Sequence, residues 1–93
     1  MGHRNLTSGH SVRRTATVVD REGLHARPCT RIARAAQKFK CDATIGYGGA
    51  TADARSILQL LGLAVPGGAT VEIVAVGNDA AACVDAVVRA VNG

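Results

Sequence analysis

Aromatic side chains are nearly absent from this sequence, which has one Phe, one Tyr and no Trp among 93 residues. Proteins that bind single-stranded nucleic acid stack bases on aromatic rings. The formal net charge of +4 therefore points to acidic protein partners or phosphate, and away from nucleic acid. Because 47% of the residues are hydrophobic, the core must consist of Ala, Val, Leu and Ile, which favours a small sheet covered by helices.

Cysteine and long apolar runs are also scarce. Cys29, Cys41 and Cys83 form no close Cys-x-x-Cys pair. His3 and His10 are too isolated to indicate a metal site. No signal peptide is evident, and no apolar run is long enough to span a membrane. We therefore expect reduced thiols in a cytoplasmic protein that has no metal, no cofactor and no membrane association.

From the length of the sequence we expect one domain with a single modest core and no separate catalytic domain. Residues 1–12 are polar and lack hydrophobic periodicity, so we expect a flexible N-terminal extension there. Residues 13–93 carry the periodic patterns and are assigned to the folded domain.

Hydrophobic periodicity predicts seven elements in the order βαββαβα. Strands are expected at residues 15–19, 42–47, 50–54 and 70–76, and helices at residues 27–38, after a capping-box pattern of Ser56 and Gln59, and after Asn78 or Asp79. Gly62 is the predicted end of the second helix. This order favours an α+β domain with its helices on one face of a four-stranded antiparallel sheet.

The run Gly23-Leu24-His25-Ala26-Arg27-Pro28 places a histidine just before a predicted helix start. A helix start offers free backbone N–H groups and a positive dipole end, both of which favour a bound phosphate. Pro28 suits the first turn because its missing N–H would be unpaired anyway. Arg27 adds a planar cation that can pair with phosphate oxygens. The alternative is a loop or cap histidine beside a solvated arginine, but the joint occurrence of these residue types favours a phosphate site.

This run resembles the active-site motif of HPr, the histidine-containing phosphocarrier of the bacterial phosphoenolpyruvate-dependent phosphotransferase system. The run Arg55-Ser56-Ile57-Leu58 is similar to the second signature of the family, and residues 68–73 are similar to its last strand. The resemblance covers about residues 13–92. It implies an HPr-like open-faced β-sandwich with a four-stranded antiparallel sheet and three helices on one face.

The resemblance implies a phosphocarrier rather than a stand-alone enzyme. His25 would accept a phosphoryl group on Nδ1 from phosphorylated enzyme I and pass it to an enzyme II A domain for sugar uptake. Arg27 would stabilise the charge, and the helix start at Ala26, Arg27 and Pro28 would hold the phosphate. Because the partner histidine is the other reactant, no carboxylate base near His25 is required.

The resemblance also assigns surface roles. Ser56 matches the serine that a dedicated kinase phosphorylates in some members, and it is also an ordinary helix cap. The resemblance implies an apolar docking patch at Ile57, Leu58 and Leu61, because apolar groups ringed by charge usually mark interfaces. Independently of the resemblance, helical spacing places Arg27, Arg31, Arg34 and Lys38 on one face, which is either a solvated face or a docking surface for an acidic partner. Partner docking is therefore also expected at Thr30, Arg31 and Arg34. Leu60 is expected in the core, and the protein is expected to be a monomer.

Three residues depart from the family pattern. Cys29 stands where alanine is usual, and its helical position predicts a buried, packed thiol. Gln59 and Ala64 stand where glycine is common, and Gly62 is expected to take over part of that conformational role. These departures leave the chemistry intact and affect the shape of the docking surface.

Two other functions remain open. An HPr-like regulatory module would control partner proteins in carbon or nitrogen regulation through phosphorylation of His25 and Ser56. A metal- or nucleic-acid-binding domain rests only on the charge, the cysteines and the histidines, and it ranks far below the other two.

Overall fold

The computed structural model describes residues 11–93 and shows one four-stranded antiparallel sheet with three helices. The strands are β1 (Ser11–Thr17), β2 (Asp42–Tyr47), β3 (Ala50–Asp53) and β4 (Thr70–Val76), and the helices are α1 (Ala26–Gln37), α2 (Ile57–Gly62) and α3 (Ala80–Asn92). The predicted α+β class and the order βαββαβα are confirmed. The strands lie in the order β1-β4-β2-β3. Within residues 11–93, no helix combines the length and apolarity that crossing a membrane requires.

One face of the sheet is buried and the other is exposed, because burial alternates along the strands as side chains alternate between faces. The buried face carries the apolar residues Ala16, Ala43, Ile45, Ala52, Val71, Ile73 and Ala75. Helix α3 packs on β1, β2 and β4, whereas α2 packs on β3. The core therefore lies between this face and the helices.

Each of the two long helices buries one apolar stripe at helical spacing. Helix α1 buries Pro28, Cys29, Ile32, Ala33 and Ala36. Helix α3 buries Ala80, Cys83, Val84, Val87, Ala90 and Val91. Burial of one large side chain such as Ile32 contributes roughly 1.5–3 kcal/mol. These two helices pack against each other.

Strand β1 differs from its predicted bounds. It begins at Ser11, which pairs with Val76, and it ends at Thr17. Residues 11 and 12 thus belong to the sheet, although they fall within the predicted N-terminal extension. Arginines at 13 and 14 interrupt the apolar alternation, so the sequence pattern conceals the first half of the strand. Residues 1–10, including His3 and His10, lie outside the described residues.

The predicted helix caps form only in part. The Ser56 hydroxyl accepts a hydrogen bond from the Gln59 N–H at 3.1 Å. The reciprocal bond of a capping box is replaced, because Gln59 Oε1 accepts from the Asp53 N–H at 2.9 Å. Asp79 occupies the N-cap position of α3 without a side-chain cap bond. Its carboxylate accepts from the Lys40 N–H at 3.2 Å.

The turn after α2 corrects the role expected for Gly62. Gly62 is the last residue of the helix, and the positive φ of this segment belongs to Ala64, at 53°. Left-handed backbone costs a non-glycine residue roughly 1–2 kcal/mol. Gly62 therefore does not replace the family glycine, and Ala64 itself adopts the strained conformation.

All three cysteines are buried and free. Burial raises the pKa of Cys29, and burial together with a hydrogen bond to Cys41 raises the pKa of Cys83 to about 12. Thiols of this kind are poor nucleophiles at neutral pH because the thiolate is the reactive form. The predicted packed, inward-facing Cys29 is confirmed by its complete burial.

Candidate functional site

Two loops hold the histidine that precedes α1. One runs from β1 to α1, and the other, around residues 65–69, leads into β4. The Leu24 N–H donates to the Val65 carbonyl at 3.0 Å, and the Gly68 N–H donates to the Val18 carbonyl at 2.8 Å. The loop before His25 is therefore bonded, backbone to backbone, to a segment about 40 to 50 residues further along the chain.

Glycine is required where these loops touch. Gly23 has a φ of 78°, and a Cβ placed there would lie 2.1 Å from the Val65 carbonyl oxygen. A Cβ at Gly67 would lie 2.5 Å from the Asp20 carbonyl oxygen. Both distances are too short for any side chain, which explains why Gly23 belongs to the motif.

His25 is the N-cap residue of α1, with an extended backbone (φ −86°, ψ −170°) and no side-chain bond to the helix. Its carbonyl accepts from the Cys29 N–H at 3.1 Å. The N–H groups of Ala26 and Arg27 precede the first intrahelical bond, so they are free to meet an anion. Pro28 has no N–H and its ring is fully buried, so within the predicted phosphate-binding set it shapes the helix start and offers no donor.

The carboxylate of Asp20, which was not among the predicted site residues, lies against the histidine ring. Asp20 Oδ2 lies 3.0 Å from His25 Nε2. Asp20 Oδ1 accepts from the Glu22 N–H at 3.0 Å, and this bond, followed by the contact with His25, holds the pKa of Asp20 below its usual value. The resemblance required no carboxylate base near His25, yet the fold places a carboxylate against its ring. The signal was an aspartate five residues before the histidine in a glycine-containing loop.

A basic face extends from this site along α1. It consists of Arg27, Arg31, Arg34 and Lys38, which line an open groove of about 600 Å³ together with Thr30, Ala35 and Ala90. The Arg31 guanidinium is held in place because its Nε donates to the Ala90 carbonyl at 2.9 Å. The Thr30 hydroxyl donates to the Ala26 carbonyl at 2.9 Å. Arg27 and Arg34 are exposed.

Three arginines elsewhere on the surface have carboxylate partners, whereas the exposed Arg21 and Arg89 have none within 4.0 Å among residues 11–93. Arg13 pairs with Glu72 at 2.9 Å, Arg14 with Asp85 at 2.6 Å, and Arg55 with Asp42 at 3.4 Å and with Asp53 at 3.8 Å. Within residues 11–93, the four cations of the basic face have no carboxylate within 4.0 Å. Their charge is thus available to an anion or an acidic surface.

The apolar residues predicted to dock partners lie on α2. Leu58 is 82% exposed, and Ile57 and Leu61 are 37% and 36% exposed. Leu60 is fully buried, which confirms its predicted place in the core. Helix α2 packs against α1, and Gln37 of α1 donates to the Arg55 carbonyl at 3.2 Å. The apolar patch and the basic face therefore lie on helices in direct contact.

The geometry offers a nucleophile beside free N–H donors and cations, and within residues 11–93 no cluster of three or more His, Cys, Asp or Glu side chains could hold a metal ion. The family model described as "PTS HPr component phosphorylation site" matches residues 12–93. The chain belongs to the HPr family. This result agrees with the resemblance of residues 23–28 to the HPr active-site motif.

Known HPr-family proteins are similar over most of the chain. The phosphocarrier protein HPr of Haloferax volcanii is 44% identical over 77 residues, which cover 78% of this chain and 84% of that protein. The phosphocarrier protein NPr of Shewanella violacea is 39% identical over 74 residues, covering 80% of this chain and 81% of that protein. These similarities support a phosphocarrier of the HPr and NPr type.

Solved HPr structures share the fold. HPr of Bacillus anthracis str. Ames has a TM-score of 0.83 at 30% identity, covering 89% of this chain and 99% of that chain. An HPr dimer of Thermoanaerobacter tengcongensis has a TM-score of 0.66 at 31% identity, covering 72% of this chain and 77% of that chain. Because similar HPr structures include a dimer, the monomer expected for this protein stays a prediction.

Proposed function

We propose that this protein carries a phosphoryl group on His25 Nδ1, which it receives from phosphorylated enzyme I and passes to an enzyme II A domain for sugar uptake. The observation that carries this proposal is the open start of α1. There His25 caps the helix without bonding to it, and the N–H groups of Ala26 and Arg27 have no intrahelical acceptor.

The proposed chemistry needs only positioning and charge stabilisation. The lone pair of His25 Nδ1 attacks phosphorus, the N–P bond of the donor phosphohistidine breaks, and the donor imidazole leaves with that electron pair. Backbone N–H groups and the Arg27 guanidinium would meet the negative oxygens of the transferring group. Passage to the next partner repeats the same step with His25 as the leaving group.

The basic face and the exposed apolar residues of α2 support a common docking surface for both partners. Unpaired cations attract an acidic partner and accelerate encounter. Exposed Leu58, with Ile57 and Leu61, would supply the apolar centre that interfaces require. We assign docking to these residues together with Thr30, Arg31 and Arg34, and we propose that the protein works as a cytoplasmic monomer.

A regulatory module is the second candidate, and one observation favours it. Ser56 is half-buried at the start of α2, where its hydroxyl is an N-cap acceptor and where a negative charge is favoured. As a regulatory module, the protein would be phosphorylated on His25, and on Ser56 by an HPr kinase. These phosphorylations would control partner proteins in carbon or nitrogen regulation.

The first test is incubation with phosphoenolpyruvate and an active cognate enzyme I, followed by intact mass measurement. We expect an acid-labile phosphoryl adduct on the wild-type protein and none on His25→Ala. A wild-type protein that stays unmodified would refute phosphoryl transfer to His25 and leave the motif with a structural or binding role. Subsequent addition of an enzyme II A domain separates the two candidates, since rapid loss of the adduct supports transport.

The second test measures the contribution of Arg27 to the rate of phosphorylation. We expect Arg27→Ala to slow phosphorylation on the order of a hundredfold, because one preorganised charge contact to the transferring group is lost. Arg13→Ala is the matched control, since Arg13 is an exposed arginine paired with Glu72. Equal rates for the two variants would contradict the role given to Arg27.

A further inference from the structure

We infer that Asp20 is a positioning residue for His25: its carboxylate keeps the ring proton on Nε2, so that Nδ1 presents the lone pair to the phosphoryl group. This inference rests on the proposed function and adds to it the means by which the chain selects one ring nitrogen.

The contact itself assigns the proton. An ionised carboxylate can only accept hydrogen bonds, and Asp20 Oδ2 lies 3.0 Å from His25 Nε2. The Glu22 N–H and the His25 ring keep the pKa of Asp20 low, and the nearby Arg31 charge adds to this. Asp20 is thus ionised at neutral pH, and Nε2 must be the donor. In a neutral imidazole the other nitrogen, Nδ1, is then unprotonated.

The orientation of the carboxylate is fixed by the loop. Its second oxygen, Oδ1, accepts from the Glu22 N–H at 3.0 Å, and the Asp20 carbonyl accepts from the Gly23 N–H at 2.9 Å. Gly67 backs this carbonyl so closely that a Cβ there would lie 2.5 Å from it. Oδ2 is therefore directed at the ring before any partner binds.

The same carboxylate acts during transfer. When Nδ1 forms its bond to phosphorus, the ring keeps the Nε2 proton and becomes a phosphorylated imidazolium with one positive charge. No proton leaves, and the donor N–P electron pair departs with the donor imidazole. Asp20 then faces a charged N–H, and charge-assisted hydrogen bonds are stronger than neutral ones. This is the logic of a carboxylate that orients a catalytic histidine.

A merely structural Asp20 would serve only the bond to the Glu22 N–H. Asp20→Asn separates the two roles, because the amide oxygen can still accept from Glu22 while the amide NH₂ replaces Oδ2 opposite Nε2. If the amide introduced at position 20 were flipped, its NH₂ group would face the Glu22 N–H. Two donors would then face each other without an acceptor, so this orientation is disfavoured. The variant thus keeps the loop bond and reverses the polarity of the contact with His25.

The matched control is Asp53→Asn. Asp53 makes the same type of local bond, with Oδ1 accepting from the Arg55 N–H at 2.9 Å, but no histidine lies among its hydrogen-bond partners in the described residues. A general cost of replacing a turn aspartate by asparagine would therefore affect both variants equally.

The direct test is ¹⁵N NMR of the His25 ring in the unphosphorylated protein, at a pH where the ring is neutral. We expect the proton on Nε2 in the wild type and in Asp53→Asn, and a shift of the proton to Nδ1 in Asp20→Asn. An unchanged tautomer in Asp20→Asn, with a native amide spectrum, would overturn the inference. If Asp20→Asn does not fold, the same NMR measurement is made on Asp20→Ala. A tautomer population in Asp20→Ala that equals that of the wild type would also overturn the inference.

The functional test measures phosphorylation by enzyme I. We expect Asp20→Asn to lower kcat at least about tenfold with little change in KM, because orientation and charge are lost while docking is retained. Asp53→Asn should match the wild type. A normal kcat for Asp20→Asn alongside an active wild type would overturn the inference alone, whereas an inactive wild type would overturn the proposed function and leave the tautomer measurement valid.

Discussion

Helices α1 and α2 both begin at an extended N-cap residue, yet they treat their first N–H groups in opposite ways. Ser56 turns its hydroxyl onto the helix and accepts from the Gln59 N–H. His25 makes no side-chain bond to α1 and contacts Asp20 instead. The start of α2 is thus closed by its own cap, whereas the start of α1 is left open. The first N–H groups of α1 therefore have no side-chain acceptor, as the proposed phosphate site requires.

The open start depends on support from elsewhere in the chain. Loop contacts at Gly23 and Gly67 hold the residues before α1, and Cys29 anchors the first turn because its Sγ donates to the Leu24 carbonyl at 3.4 Å. The closed start of α2 needs only residues 53–59. The start of α1 therefore depends on tertiary contacts between loops, whereas the capped start of α2 is stabilised by residues close to it in sequence.

The largest expected effect comes from breaking the loop contact beneath the open start. Gly23→Ala should lower the free energy of unfolding by roughly 3 kcal/mol, because the new Cβ meets the Val65 carbonyl and the positive φ disfavours alanine. Urea denaturation measures this loss. Gly48→Ala is the control, since Gly48 has a φ of 60° with nothing within 4 Å of a Cβ, and it should lose about 1 kcal/mol. Equal losses would contradict the role of the loop contact.

Removing the N-cap side chains of α1 and α2, His25 and Ser56, one at a time tests how much each contributes to stability. Ser56→Ala should lower the free energy of unfolding by about 1 kcal/mol because the Gln59 N–H loses its acceptor. His25→Ala should lower it by less than Ser56→Ala does, since only a solvent-exposed contact with Asp20 is lost. Thermal and urea unfolding provide both values. Ser56→Asp, which keeps an acceptor at the cap, should restore stability, and a large loss in His25→Ala would refute the open start.

The smallest expected effect is a difference in how stability depends on pH at the starts of α1 and α2. The pKa of Asp20 lies below its ordinary value of 3.8 in the folded protein, so the unfolded state binds more protons as the pH falls. The stability that Asp20 contributes is present above pH 3.8 and declines as the pH drops through its folded pKa. The difference between wild type and Asp20→Ala in urea unfolding should therefore shrink below pH 3.8. The Ser56→Ala difference involves no titrating group and should persist.

Local patterns predicted much of this fold. The bounds of β2 and β4 and the buried stripes of α1 and α3 followed from hydrophobic period, which depends only on neighbouring residues. The start of β1 was missed because pairing with β4, rather than apolar alternation, defines residues 11–14 as strand. The positive φ at Ala64 was missed for a related reason, since a glycine two residues earlier offered a simpler local end to α2.

By itself, the sequence determined the order of the elements, the family, and a histidine at the start of α1 beside Arg27 and Pro28. These depend on short-range spacing and on motifs that a single stretch of chain contains. Only the tertiary structure decided that Asp20 meets Nε2 of His25, and that the cations of α1 lack partners while Arg13 and Arg14 have them. The reason is physical: these contacts join segments whose meeting is set by loop and sheet packing across the whole domain.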